Sequence, residues 1–274
     1  MTSGVRKPDC LVFSRNRACQ LDGFLRSLDE TNPGLYETVT VLYRDEIGGY
    51  DVCALEHPDV AFVPEEFFGP QFLDWFDAAG ARVVFHTDDD VFYRTAPVPN
   101  PYELAVSLRL GRNTTYCHPL GVVQQPPDFS SNGAGWLTWK WREAELDFAY
   151  PCSLNGTVFA KTVLERLLDF PVQNPTQLEA ELAARAGDLA TVFMSCPEHS
   201  CVVSIPANRV TEWSHNPIGG SQYETVDALQ RLYAKGWRLA LDRMDFGNVS
   251  AAHQEIELRL RRSFTPSLQA LTNG

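Results

Sequence analysis

The chain has 274 residues, 44% hydrophobic and 21% charged, with 18 glycines and 18 prolines. That composition excludes coiled coil, collagen and intrinsic disorder, and the length allows a core that needs no metal or disulfide staple. With 23 basic and 35 acidic residues the net charge is −12. Such a balance disfavours generic binding to nucleic acid or anionic membrane, but leaves room for a phosphorylated ligand held by a cation or a local basic pocket.

The N-terminus is polar and no run of about 18 apolar residues occurs, so neither a signal peptide nor stable membrane insertion is expected, and the location expected is cytoplasmic. Seven cysteines without framework spacing read as small apolar core residues of a reducing compartment. Cys196, His199 and Cys201 lie close in sequence. They offer three zinc ligands but no second Cys-x-x-Cys pair, so a core role is expected there too.

In chain order, Cys10–Ser14 is a short apolar run that suits a buried parallel strand. Leu21, Phe24, Leu25 and Leu28 follow at helical spacing, before a stop at Asn32-Pro33-Gly34. Thr38–Tyr43 is β-branched and reads as a strand leading into Arg44, and residues 60–63 read as another. A helix is expected over Pro70–Ala79, with Gly80 closing it in a left-handed conformation. Arg82–Thr87 is a strand running directly into Asp88-Asp89-Asp90. The regular alternation predicts an α/β fold, with a mostly parallel central sheet flanked by helices and ligands beyond the carboxyl ends of its strands.

The second half is less regular. Leu104–Leu110 reads as a strand and Thr114–Trp141 as a turn-rich stretch holding Trp136, Trp139 and Trp141. Those tryptophans suit a partly exposed loop that stacks on an acceptor, with core packing the default for at least one. Helices are expected near 162–168, 176–186 and 225–235, the last closed by Gly236. No linker or repeat is visible, so one domain is expected.

The acidic triplet is the most informative feature. Three adjacent carboxylates repel unless a cation or solvent relieves them. In an extended segment Asp88 and Asp90 would face one cavity, and oxygen ligands of this kind suit Mg²⁺ or Mn²⁺ completed by water and a diphosphate. Arg15 and Arg17, in the first strand–helix loop, have the planar fork that matches phosphate oxygens.

Asp-Asp-Asp after an apolar strand resembles the Asp-x-Asp motif of the GT-A fold nucleotide-sugar glycosyltransferases. LVFSRNRACQLDGFLRSL is similar to their opening strand–loop–helix, TVTVLYR to their second strand, and SLNGTVFAKTVLERLL to the segment that closes over donor and acceptor. The likeness is to family-2-like bacterial and viral members, over about residues 10–210. It implies a single GT-A (Rossmann-like) domain, its nucleotide- and metal-binding half near 10–110 and its acceptor-side half near 111–262.

The resemblance also implies roles. Asp90 would meet Mn²⁺ or Mg²⁺ most directly, with Asp88 and Asp89 on metal-bound water or the ribose. Ser14, Arg15 and Arg17 would hold the nucleotide, Arg44 would assist, and Asn155-Gly156 would let the backbone approach the donor sugar. A C-terminal histidine would complete the metal shell, His253 being preferred to His215. The Glu-Asp pair that supplies the base in many relatives is absent. Glu179 and Asp147 are the replacements considered, although Thr176 and Glu179 also form a capping-box pattern. Inversion or retention stays open, and so does the acceptor, whether glycan, protein, small molecule or modified nucleic acid.

Two other readings stand beside a metal-dependent glycosyltransferase. One is a metal-dependent nucleotidyltransferase or phosphohydrolase, for which no Gly-rich phosphate loop is present. The other is a catalytically silent nucleotide-sugar or carbohydrate-binding module.

Overall fold

The computed structural model describes residues 7–97, 104–131, 135–189, 193–208 and 225–263. Its first half alternates strand and helix: β1 (Asp9–Arg15), α1 (Ala18–Thr31), β2 (Thr38–Arg44), α2 (Tyr50–Glu56), β3 (Ala61–Pro64), α3 (Phe68–Ala78) and β4 (Arg82–Thr87). Short strands follow: β5 (Asp90–Phe92), β6 (Ala105–Ser107), β7 (Tyr116–Cys117), β8 (Val122–Val123), β9 (Ser130–Ser131), β10 (Trp136–Lys140) and β11 (Thr157–Ala160). The rest comprises α4 (Lys161–Glu165), α5 (Pro175–Ala184), β12 (Phe193–Pro197), β13 (Val202–Ser204), α6 (Val226–Ala234), β14 (Trp237–Leu239) and β15 (Leu260–Arg262).

The main sheet has the order β3-β2-β1-β4-β11-β6-β12-β10-β9. The first four strands are parallel; beyond them, all but β11 and β10 keep the same direction. The sheet is thus mostly parallel, as expected. Strand alternation sorts its core into two faces. Cys10 and Val12 of β1 join Leu21, Phe24 and Leu25 of α1 on one face. Leu11 and Phe13 join Phe68, Phe72 and Phe76 of α3 on the other. Each fully buried Leu or Phe contributes roughly 1.5–3 kcal/mol.

Several details differ from the sequence expectation. The helix α3 begins at Phe68, and Gly80 is not left-handed. Its backbone N–H donates instead to Asp9 Oδ2 at 2.7 Å, which fixes the exit towards β4. Gly236 does close α6 with a φ of +83°. Helix α2 carries too short an apolar stripe to stand out in the sequence. Trp136, Trp139 and Trp141 are all buried, the first two in β10, so none forms an open loop platform. Trp139 Nε1 donates to the Phe148 carbonyl at 2.9 Å.

All seven cysteines are buried and unpaired, and His199 is exposed. Among the described residues, no three His, Cys, Asp or Glu side chains form a metal-binding group and no helix is long and apolar enough to cross a membrane.

Candidate active site

The acidic triplet lies beyond the carboxyl ends of β1 and β4. The register of β1 against β4 ends at Phe13 and Thr87, and the Asp88 N–H donates to the Phe13 carbonyl at 3.2 Å. The chain turns at Asp88 and Asp89 before Asp90 opens β5. An extended triplet would present Asp88 and Asp90 together; the turn sends the three carboxylates in different directions instead.

Asp90 points inward and is fully enclosed. His86 Nδ1 lies 2.7 Å from its Oδ2, Asn155 Nδ2 donates to Oδ1 at 3.1 Å, and the Ser204 hydroxyl also donates to Oδ1. A carboxylate only accepts, so His86 carries its proton on Nδ1 and Nε2 faces the Tyr36 hydroxyl at 2.8 Å. Burial works against the charge of Asp90, yet these donors outweigh it and hold the carboxyl below its usual range. The residue expected to meet the metal most directly is thus held by protein donors on both oxygens. It braces the turn from beneath.

Asp88 points towards the β1–α1 loop. Ser14 Oγ donates to Oδ2 at 2.8 Å, the Arg15 N–H to Oδ2 at 3.2 Å, and Arg17 Nη1 to Oδ1 at 3.0 Å. Burial raises its carboxyl to about 6, against the opposing pull of Arg17. Asp89 is the accessible member, its side chain 20% exposed. It accepts from Thr87 Oγ1 at 2.6 Å and lies 3.4 Å from Arg17 Nη1.

Two residues expected to hold a nucleotide are committed elsewhere. Arg17 is buried, bridges Asp88 and Asp89, and donates to the Asn208 carbonyl. Ser14 lies between Asp88 and the Tyr50 hydroxyl, 2.6 Å away, which also accepts from the Arg17 N–H at 3.1 Å. Both therefore organise the carboxylates. Arg15 and Arg44 are exposed at the ends of β1 and β2 and flank Glu46. The left-handed Asn16 (φ +57°) turns the β1–α1 loop, its N–H donating to the Arg44 carbonyl at 3.0 Å.

β11 completes the floor. Asn155 joins Asp90 to Thr87 Oγ1, and Gly156 has a φ of +66° with its N–H on the Phe85 carbonyl at 2.8 Å. A Cβ at Gly156 would lie 3.2 Å from His86 Cε1. Here glycine serves the packing of β11 on β4 and the imidazole behind Asp90.

His253 arrives laterally. β13 pairs with β5 so that Ser204 opposes Asp90, and the segment 252–254 then pairs along Ser204. Its Nδ1 is buried with no partner among the described residues. Burial, reinforced by Arg109, depresses the imidazole to about 4, while Asp89 is the foremost of the acids pulling the other way. The group is neutral at pH 7. His215, the alternative, lies outside the described residues.

The two candidate bases differ in availability. Asp147 is buried, 3.4 Å from Arg109 Nη2 and 2.9 Å from Gln124 Nε2, so both oxygens are engaged. Glu179 lies on α5, whose cap is Asn174 accepting from the Gln177 N–H at 2.9 Å; the Thr176–Glu179 capping box does not form. Glu179 Oε1 instead accepts from the Leu154 N–H at 3.2 Å, next to Asn155. Burial raises its carboxyl, with Leu154 and Arg109 opposing.

Arg109 had a visible signal, a lone charge inside the apolar stretch Ser107–Leu110. Tyr36, Tyr50, Ser204 and Asn208 carried none, because tertiary pairing alone brings them to the triplet.

The curated relative described as bifunctional glycosyltransferase pgtA, from Dictyostelium discoideum, is 23% identical over 82% of this chain. The chain is similar to a glycosyltransferase. It spans 35% of that relative's length. No protein-family model matches the chain. Among solved structures, S. aureus TarS residues 1–349 in complex with UDP gives a TM-score of 0.44 at 13% identity, covering 70% of this chain and 58% of that one. The Pyrobaculum calidifontis mannosyltransferase PcManGT with GDP-Man and Mn²⁺ gives 0.33 at 16%, covering 61% and 48%. Both superpositions are loose and bear no functional weight.

Proposed function

We propose that the protein is a GT-A-type glycosyltransferase that moves a sugar from a nucleoside diphosphate sugar to a hydroxyl acceptor, with Mn²⁺ or Mg²⁺ as cofactor. The observation that carries this reading is the turn after β4, which leaves Asp89 accessible, together with a neutral His253 whose buried Nδ1 has no partner among the described residues and whose imidazole feels the Asp89 charge. The sequence likeness to a glycosyltransferase adds to it.

The donor set suits a divalent cation of the Mn²⁺ type, which takes both carboxylate and imidazole and accepts its remaining ligands from water and phosphate oxygens. Asp89 and His253 would hold it. Bound there, it would supply positive charge to the departing diphosphate. Arg17 keeps Asp88 and Asp89 from mutual repulsion while no cation is present. Arg15 and Arg44, at the mouth, supply fixed positive charge towards the diphosphate. Glu179, uncapped and with a raised carboxyl, takes the acceptor hydroxyl proton. Its retained N–H contact from Leu154 fixes the direction of the free oxygen. The unpaired cysteines suit a reducing compartment, which favours a cytoplasmic location.

The test is nucleotide release from a panel of nucleotide sugars with Mn²⁺, with and without acceptors. Release from one donor, lost in Asp89→Ala, is the expected outcome. Nucleotide binding without release from any donor would leave a silent binding module, and no binding at all would remove the reading.

A further inference from the structure

A cleft of about 490 Å³ opens on the acceptor-side half, lined by Trp141, Arg142, Tyr150 and Pro151 on one wall and by Ala183, Ala186 and Gly187 on the other. Its volume lies within the range of small-ligand sites. The two walls differ in chemistry. The first carries aromatic edges and a cation, with the Arg142 guanidinium 5.2 Å from the Trp141 ring centroid. Arg142 is pinned there because its Nη2 donates to the Gly187 carbonyl at 2.7 Å and to that of Leu189 at 3.0 Å. Ala183, Ala186 and Gly187 lack bulk, so with Trp141 buried under Arg142 the aromatic surface left to an occupant is that of Tyr150.

The cleft shares helix α5 with the candidate base. Glu179 and Ala183 fall at i and i+4 on α5, so they share one face of the helix. Tyr150 lines the cleft, and burial, reinforced by the Glu179 charge, pushes its phenol well above the ordinary value. Glu179 on this face thus meets the Leu154–Asn155 floor of the active site, and Ala183 lines the cleft.

We propose that this cleft is a distal acceptor subsite for a saccharide. It would hold a sugar ring one or more residues away from the ring that is glycosylated, so that the acceptor is an oligosaccharide or polysaccharide chain. Sugar rings present flat C–H faces to aromatic side chains and a rim of hydroxyls to a fixed guanidinium, and this lining offers both. The acidic surface of the chain is poor for a nucleic-acid acceptor, whose phosphates it would repel. The inference rests on the glycosyltransferase reading, and its test separates the two.

The experiment is glycan-array binding by the labelled full chain, comparing wild type with Ala183→Phe, which fills the cleft, and Tyr150→Leu, which removes the ring edge. UDP and GDP binding with Mn²⁺ is measured on each by thermal shift, which also reports folding. The expected result is retention of oligosaccharides but not monosaccharides by wild type, at least a tenfold loss in both variants, and unchanged nucleotide-induced shifts. Equal retention by wild type and both variants would overturn the subsite, as would no retention of any saccharide by a protein that binds nucleotide. Absence of any nucleotide shift in wild type would instead strike the glycosyltransferase reading.

Discussion

Replacing Asp90 by Asn is expected to damage folding before it damages metal binding. The carboxylate is fully enclosed, with His86 Nδ1 at 2.7 Å from one oxygen and Asn155 Nδ2 at 3.1 Å from the other, which also accepts from Ser204. An amide keeps one acceptor and turns two N–H donors on the other side, towards either the His86 N–H or the Asn155 and Ser204 donors. At least one charge-assisted bond is lost and a donor is set against a donor. Hydrogen bonds to a charged group contribute about 1.5–3 kcal/mol, and breaking a buried pair costs roughly 3–5 kcal/mol. The destabilisation expected is therefore about 3–5 kcal/mol, or roughly 6–20 °C in Tm for a domain of this size. Urea denaturation of the two proteins at pH 7 measures it. A change under about 1 kcal/mol, accompanied by loss of Mn²⁺ binding, would refute the structural role and return Asp90 to the metal.

Three further outcomes follow from the same geometry. Glu179→Gln should lower kcat by about 10²–10⁴ while leaving nucleotide binding intact. In wild type, the acid limb of the kcat profile should fall above the usual glutamate range, because burial raises this carboxyl and the base works only when ionised; an unchanged kcat would exclude Glu179 as base. His253, depressed to about 4, stabilises the fold above the free imidazole value of about 6.5 and loses that contribution as the pH falls towards 4. The stability difference between wild type and His253→Gln should shift against wild type by up to about 3 kcal/mol across that window, measured by denaturation at several pH values; a flat difference would contradict it. Gly156→Ala, at φ +66° with its Cβ 3.2 Å from His86, should cost about 1–3 kcal/mol in the same assay, and a neutral result would contradict the need for glycine.

The parallel half of the sheet was legible because each of its elements carries its own period. The apolar run of β1, the β-branched β2 and the Leu21–Leu28 stripe need no long-range information. The position of the triplet at the end of β4 was legible for the same reason. Its internal roles were not. They depend on the turn at Asp88–Asp89, and strand alternation, which assigned Asp88 and Asp90 to one cavity, stops at Thr87. Arg17 reads as a phosphate ligand in sequence because nothing local shows that Asp88, 71 residues away, will claim it. Glu179 was obscured by a capping pattern that Asn174 satisfies in its place. Trp139 had no local partner to betray its burial; Phe129 and Phe148 reach it only once β10 has joined the sheet.

The decisive comparison is Mn²⁺ titration, followed by electron paramagnetic resonance, of wild type, Asp89→Asn and Asp90→Asn in the presence of UDP or GDP. If Asp89 is the carboxylate that meets the cation, Asp89→Asn remains folded with its Mn²⁺ affinity reduced at least tenfold, and the folded fraction of Asp90→Asn binds Mn²⁺ as wild type does. Undiminished Mn²⁺ binding by Asp89→Asn, with binding lost in a stable Asp90→Asn, would contradict it.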